Sequence, residues 1–499
     1  MSSKEKKAAA AAEEAQKNKK FYRNCIIFIV CLAIVVAAAA FINSDYTFTK
    51  TTAIEIGDTK YSPAEFSYYY RSAVSQTYSD LYNSYGEMAG YFLNTGTSLE
   101  DQIAMYGDGT QSWAQYFYDQ AILAITNVTV LYDAALENGY TLDDEAMASV
   151  DADIAFYEQT ALANGYPDVE SFLATNFGDG FDSKLLREIA EKQYLASAYS
   201  ADVEASFEYT ADEKEAYYEE NKDTFDFFKY HMYFVGTSSA AFENMSDEEK
   251  VAAAHDAAVK IADAASGAQF VKNVQDFVPD ESKASYKDET ATMGVTQGGN
   301  LGSIYAEWLI DSARVEGDTT VIDSDGGSYA VMFVSRNDNH YNLVNVRHIL
   351  IGAEADENGE FTEEALAEAK AEAERIYAEW QENPTEENFA ALATEYSEDS
   401  GSAANGGLYE GVYMDYMVEE FNDFLFNDGN KPGDSGIVYG TNGSYAGYHI
   451  MYYSADGEVF SDAMADTSLR ADDYNAVISE KAENYEVKIG NGMKHVELA

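Results

Sequence analysis

The stretch "GSYAGYHIMYY", Gly443–Tyr453, decides how this chain is read, because the chain has already written "GSYAVMFVS", Gly327–Ser335. Laid over each other, Tyr448-His449-Ile450-Met451-Tyr452 stands against Tyr329-Ala330-Val331-Met332-Phe333. Both have the aromatic and β-branched composition of a buried strand. A strand needs no histidine to be a strand, so His449 in place of Ala330 asks for a chemical reason.

Working outward, each stretch closes a segment of the same grammar. The later segment opens on the strand "LVNVRHILIG", Leu343–Gly352. The helices "TEEALAEAKAEAERIYAEW" and "TEENFAALATEYS" follow, then the glycine turn "AANGG" and the closing strands. The earlier one opens on "FFKYHMYFVG", Phe227–Gly236, continues through the helix "DEEKVAAAHDAAVKIADAAS" and turns at "TQGGNLG". His231 precedes Ala330 by 99 residues (330 − 231) and His348 precedes His449 by 101 (449 − 348). Matching order and spacing predict a duplicated α+β domain, at 226–338 and 342–455. Residues 55–225 read as mainly helical and rich in Tyr and Phe. Their starts combine a cap with acids or proline, as in Ser62-Pro63-Ala64-Glu65 and at Thr141 and Thr210. Residues 456–499 add a polar helix and a short strand-like end, "EVKIG".

The N-terminus reads as a membrane signal. A Lys-rich segment, 1–24, precedes the uncharged run Cys25–Ile42, "CIIFIVCLAIVVAAAAFI". That run is about long enough to cross a hydrocarbon core of roughly 30 Å, and its flanks place the N-terminus in the cytoplasm. It either stays as a single-pass transmembrane anchor, the reading adopted here, or is removed as a signal peptide. In both cases the rest of the chain is exported. Both cysteines, Cys25 and Cys31, lie in this run, so the exported part has no disulfide framework and no thiolate. With 88 acidic against 31 basic residues the formal charge is −57, a surface that repels phosphates and excludes nucleic acid as a partner.

The later segment resembles the parvulin family of peptidyl-prolyl isomerases. "VRHILI", "FAALATEYSEDSGSAANGG", "MVEEF", "PGDSGIV" and "GYHIM" occur in family order over 342–455. The whole chain further resembles extracytoplasmic foldases of the PrsA and SurA type. In these, parvulin domains are set into a helical chaperone module built from both chain ends. The resemblance implies that His348 and His449 are the paired histidines beneath the substrate and that Asp399 stands beside the twisting amide. It also implies that Met417 and Phe421 form the slot for the prolyl ring, with Leu408 as a further substrate contact. The implied partners are unfolded or newly exported polypeptides with X–Pro bonds, together with the membrane through the N-terminal run.

Such chemistry suits these residue types. Amide rotation crosses a resonance barrier of about 18–20 kcal/mol and needs no nucleophile, metal or other cofactor. An apolar slot and well-placed hydrogen bonds favour the twisted state. Two departures from the family bear on rate. The turn Gly406-Gly407-Leu408-Tyr409-Glu410-Gly411 lacks the usual aspartate, and Ala446 replaces a larger or hydroxyl-bearing residue. "GAEADENGEFTEE" stands where phosphate-requiring parvulins carry basic residues, so no phosphate requirement is expected. The first segment keeps His231 but lacks the second histidine and a "SED" counterpart, and reads as a degenerate parvulin fold without activity. The competing reading is a holdase that uses the parvulin folds only as a scaffold.

Overall fold

The computed structural model describes residues 19–20, 45–107, 109–356, 359–427, 429–441 and 445–496. The apolar run 25–42 and all of segment 1–24 but Lys19 and Lys20 lie outside them. Among the described residues no helix is long and apolar enough to cross a membrane. The chain divides into two units: one takes the residues before Tyr209 and those after Arg470, the other is Tyr209–Arg470.

The first unit is mainly helical. Strands β1 (Ile54–Ile56) and β2 (Thr59–Tyr61) form a hairpin that turns at Gly57, where φ is 58°. A 23-residue helix, Pro63–Tyr85, starts directly after it. Its capping box is complete: the Glu65 amide donates to the Ser62 hydroxyl, and the Ser62 amide donates to the Glu65 carboxylate. The later helices Trp113–Glu137, Asp144–Ala163, Val169–Phe177 and Ser183–Ala205 begin on Ser112, Asp143, Asp168 and Asp182, each accepting a backbone N–H. Phe66, Tyr70, Trp113 and Phe117 fill the core, with Trp113 stacked on Phe117 at 5.2 Å. The C-terminal strand β11 (Val487–Ile489) pairs antiparallel with β1, Ile54 facing Ile489. Both ends of the chain therefore build this unit.

The second unit holds two four-stranded antiparallel sheets of matching topology. The first has the order β4-β3-β6-β5, from β3 (Phe227–Gly236), β4 (Met293–Gln297), β5 (Thr319–Ser324) and β6 (Gly327–Asn337). The second has the order β8-β7-β10-β9, from β7 (Asn342–Gly352), β8 (Leu408–Val412), β9 (Ser435–Thr441) and β10 (Ala446–Val459). In each, the opening and closing strands of the segment are central. Helices cover one face of each sheet: Asp247–Ala262 and Gly267–Phe277 on the first, Glu363–Gln381 and Glu386–Tyr396 on the second. The opposite faces carry smaller apolar clusters, described below.

The Ala211–Phe225 helix, read from sequence as part of the helical region, packs in this second unit, where Tyr218 and Phe225 meet Ala465 of the Phe460–Ala482 helix. Tyr218 also anchors the link between the repeats. Asn339 is fully buried there at φ 57° and donates to the Tyr218 hydroxyl (2.9 Å) and the Phe225 carbonyl (3.0 Å).

Candidate active site

The site is built on β7 and β10, whose central pairing sets His348 opposite Met451 and His449 opposite Leu350. Residues alternate between faces, so Ile349, Ile351 and Ile450 enter the helix-side core, while Val346, Met451 and Tyr453 look the other way. His348 and His449 lie on that second face, 4% and 5% exposed. The glycine turn fits β8 against them. The His348 amide donates to the Gly407 carbonyl at 2.9 Å. At Gly407, φ is 71° and a Cβ would stand 2.2 Å from the His348 carbonyl oxygen, so only glycine serves.

The polar groups form one continuous chain. Asp399 Oδ2 lies 3.0 Å from His348 Nε2, and His348 Nδ1 lies 3.2 Å from His449 Nδ1. His449 Nε2 lies 2.8 Å from the Tyr445 hydroxyl. The Tyr409 hydroxyl donates to Asp399 Oδ2 at 3.0 Å; the buried Ser402 hydroxyl donates to the same oxygen and lies 3.2 Å from His348 Nε2. The His348 hydrogen bond, then those of Ser402 and Tyr409, hold the Asp399 carboxyl below the usual range, against a burial that pushes the other way. Burial, and after it the neighbouring His348, lower the His449 pKa to about 3, so this ring stays neutral. These partners assign the hydrogens: His348 Nε2–H donates to Asp399, His449 Nδ1–H to His348, and Tyr445 O–H to His449.

Phe421 closes the face from the apolar side. It is 2% exposed and sets its edge against both imidazoles, with ring centroids 5.4 and 5.5 Å away. Phe424, Leu425 and the half-buried Met417 join it over Val346, Met451 and Val412. Among the described residues no group of three or more His, Cys, Asp or Glu is arranged to hold a metal ion.

Of the residues expected from sequence, the structure brings together His348, His449, Asp399 and Phe421, with Met417 in the same apolar cluster. Leu408 is a correction: it pairs with Arg347, whose side chain reaches Glu386 on the helix-covered side. The next residue, Tyr409, pairs with Val346 and takes the site face, its ring 5.4 Å from His348. Strand alternation is the reason. Tyr409, Ser402 and Tyr445 were missed. The hydroxyl sought at position 446 comes from its neighbour: Tyr445 is four residues before His449 and shares its face, and Ala446 does not.

The overlay of the two closing strands holds in register but not in face. His231 pairs with Met332 as His348 pairs with Met451. Yet Met332 and Ala330 belong to the helix-side core of the first sheet, and His231 stacks there on Phe270 at 5.6 Å and meets the Thr292 hydroxyl at 2.9 Å. The other face of that sheet carries Phe228, Tyr230, Val331 and Phe333 beneath Leu309 and Tyr305. Both sheets carry a register shift at this point, and His231 stands one residue past it (after Tyr230) where His348 stands two past it (after Val346), which puts the two histidines on opposite faces. Ala330 is therefore not a histidine lost from a site; its position looks into a core.

A buried, carboxylate-anchored histidine pair thus stands beside an apolar wall, on a four-stranded antiparallel sheet backed by two helices. Residues 329–453 match the family model described as the PPIC-type PPIASE domain, from the closing strand of the first repeat to Tyr453. The chain is similar to the chaperone SurA of Alkalilimnicola ehrlichii, 24% identical over 345 residues, covering 65% of this chain and 72% of the relative. Among solved structures it is similar to PrsA from Bacillus subtilis (14% identity, 80% of this chain, 94% of the other, TM-score 0.27). It is also similar to the peptidylprolyl isomerase PrsA from Bacillus anthracis (18% identity, 29% of this chain, TM-score 0.18), of whose chain it spans 61%. Residues 329–453 therefore carry a PPIC-type PPIase domain, in a chain that is similar overall to SurA and PrsA proteins.

Proposed function

We propose that the chain is exported, stays tethered to the cell membrane by residues 25–42 with its N-terminus in the cytoplasm, and catalyses cis/trans isomerisation of X–Pro bonds in polypeptides folding outside the cell. The supporting observation is the Tyr445–His449–His348–Asp399 chain lying against Phe421. In this reading Phe421 and Met417 take the prolyl ring out of water. Asp399 and Tyr409, at the more open end, face the amide. The histidines hold Asp399 ionised and aimed, and transfer no proton to the substrate. The gain comes from favouring the twisted amide, whose C–N bond has lost double-bond character. Uncatalysed exchange takes tens to hundreds of seconds, so modest catalysis helps an exported chain fold.

The first repeat, with aromatic and aliphatic residues on the corresponding face, is a parvulin-like fold without this activity. Chaperone action is assigned to the first unit, where Tyr91, Ile103, Phe156 and Leu162 are 62–87% exposed and offer apolar contacts to unfolded clients. That exposure also favours the holdase reading.

A protease-coupled Xaa-Pro tetrapeptide assay on the full chain tests the enzyme. Acceleration by the wild type that Asp399→Ala abolishes supports it; equal rates with and without protein, while client aggregation is still suppressed, leave only the holdase. Resistance of the protein to alkaline extraction from membranes tests the tether, and release into the supernatant rejects it.

A further inference from the structure

We infer that the first repeat, which lacks the site, positions the proline-binding wall of the second: Phe227, Lys229 and Asn337 hold the segment that carries Met417. This rests on the isomerase reading above.

Between β8 and the turn Glu419–Asn422 the chain runs through Tyr413, Met414 and Asp415 to Met417. Each of the first three residues touches the first repeat. The Tyr413 ring lies 5.7 Å from that of Phe227. Asn337 Nδ2 donates to the Met414 sulfur at 3.5 Å. Asp415 Oδ1 lies 3.6 Å from Lys229 Nζ, with the two side chains 29% and 32% exposed. Phe227, Lys229 and Asn337 share one face of the first sheet, Phe227 directly opposite Asn337. With Met414 and Asp415 they line a cleft of about 560 Å³ between the repeats.

The second repeat alone holds this segment by few bonds. The Met414 amide donates to the Tyr341 hydroxyl at 3.0 Å, and the Asp415 amide to Asn422 Oδ1 at 2.7 Å. Asp415 sits at φ 63°, a left-handed conformation uncommon among non-glycine residues, of which Asp is one of the more tolerant. Asn422 is buried next to Phe421, so the Asp415–Asn422 bond ties the pinned segment to the ring that faces the histidines. Displacing Asp415 should move the Met417 wall first, since its own bonds run to Lys229 and Asn422 and not to Asp399, His348 or His449. The inactive repeat would then act on ring binding and not on the twisted amide.

The test uses the full chain with Lys229→Glu, Asp415→Lys and the double exchange. Read-outs are KM and kcat in the tetrapeptide assay and the ¹³C-methyl resonances of Met414 and Met417. Each single reversal should raise KM about fivefold, the scale of one partly exposed ion pair turned repulsive, with kcat within twofold and the Met417 methyl shifted. The double exchange should restore both. Unchanged KM and an unmoved Met417 methyl in an active protein overturn the inference. An inactive wild type overturns the isomerase reading instead, and the methyl shifts then decide the contact by themselves: movement in the singles with return in the double upholds it, and no movement rejects it. A raised KM that the double exchange fails to lower also counts against it, since that is general destabilisation and not this pair.

Discussion

His348 Nδ1 lies 3.2 Å from His449 Nδ1 in a face where both rings are at least 95% buried. Two imidazoles at that distance share a single hydrogen between the facing nitrogens, and a second charge there would be opposed by burial and by its neighbour. The His449 pKa of about 3 expresses that cost.

Acid should therefore loosen the second repeat. In the unfolded chain His449 takes up a proton near its ordinary value of 6.5, and in the folded chain only near 3. Its contribution is fully present above about pH 6.5 and is lost as pH falls toward 3. Asp399, also depressed, adds a loss in the same direction below its ordinary 3.8. Hydrogen exchange of the β7 and β10 amides should show roughly 2 kcal/mol less protection at pH 5 than at pH 7, at about 1.4 kcal/mol per pH unit below the unfolded pKa. His449→Gln, which does not titrate, should flatten that slope. An equal slope in the variant would contradict the assignment.

Asp399→Asn keeps the shape of the carboxylate and removes its charge. His348 Nε2, Tyr409 and Ser402 all converge on Asp399 Oδ2, so the substitution disorders three donors at once. A fall of about tenfold to a hundredfold in kcat/KM is expected, the scale of removing one preorganised electrostatic group. The melting temperature should move by only a few degrees.

Tyr445→Phe removes the hydroxyl that donates to His449 Nε2 and leaves a buried nitrogen without that partner. At a net worth of about 1 kcal/mol for such a bond, kcat/KM should drop roughly fivefold. Ala446→Ser, on the other face of the strand, should not compensate in the double variant. Full recovery there would place position 446 in the site after all.

His231→Ala separates scaffold from catalyst. The ring stacks on Phe270 and bonds Thr292 inside the first repeat, so its loss should cost that repeat about 1–3 kcal/mol in denaturant unfolding. Tetrapeptide turnover should stay within twofold of wild type. A large loss of kcat would give the first repeat a chemical role.

Much of the protein is determined by local order in the sequence. Caps such as Ser62 with Glu65, strand composition and glycine turns specify the elements, and the recurrence of one grammar specifies two sheets of one topology. The resemblance to parvulins names His348, His449, Asp399, Met417 and Phe421 as the candidate site. What only the tertiary structure decided is which way each strand faces and who reaches across. Leu408 and Tyr409 are equally plausible one residue apart, and Ala446 and Tyr445 likewise. A period of two means that a single register step exchanges core for site. His231 is a core residue although its strand reads like β7, because it stands one residue nearer its register shift than His348 does. The contacts of Phe227, Lys229 and Asn337 with Tyr413, Met414 and Asp415 join positions far apart in the chain, and no local pattern announces a meeting that only the packing of the two repeats creates.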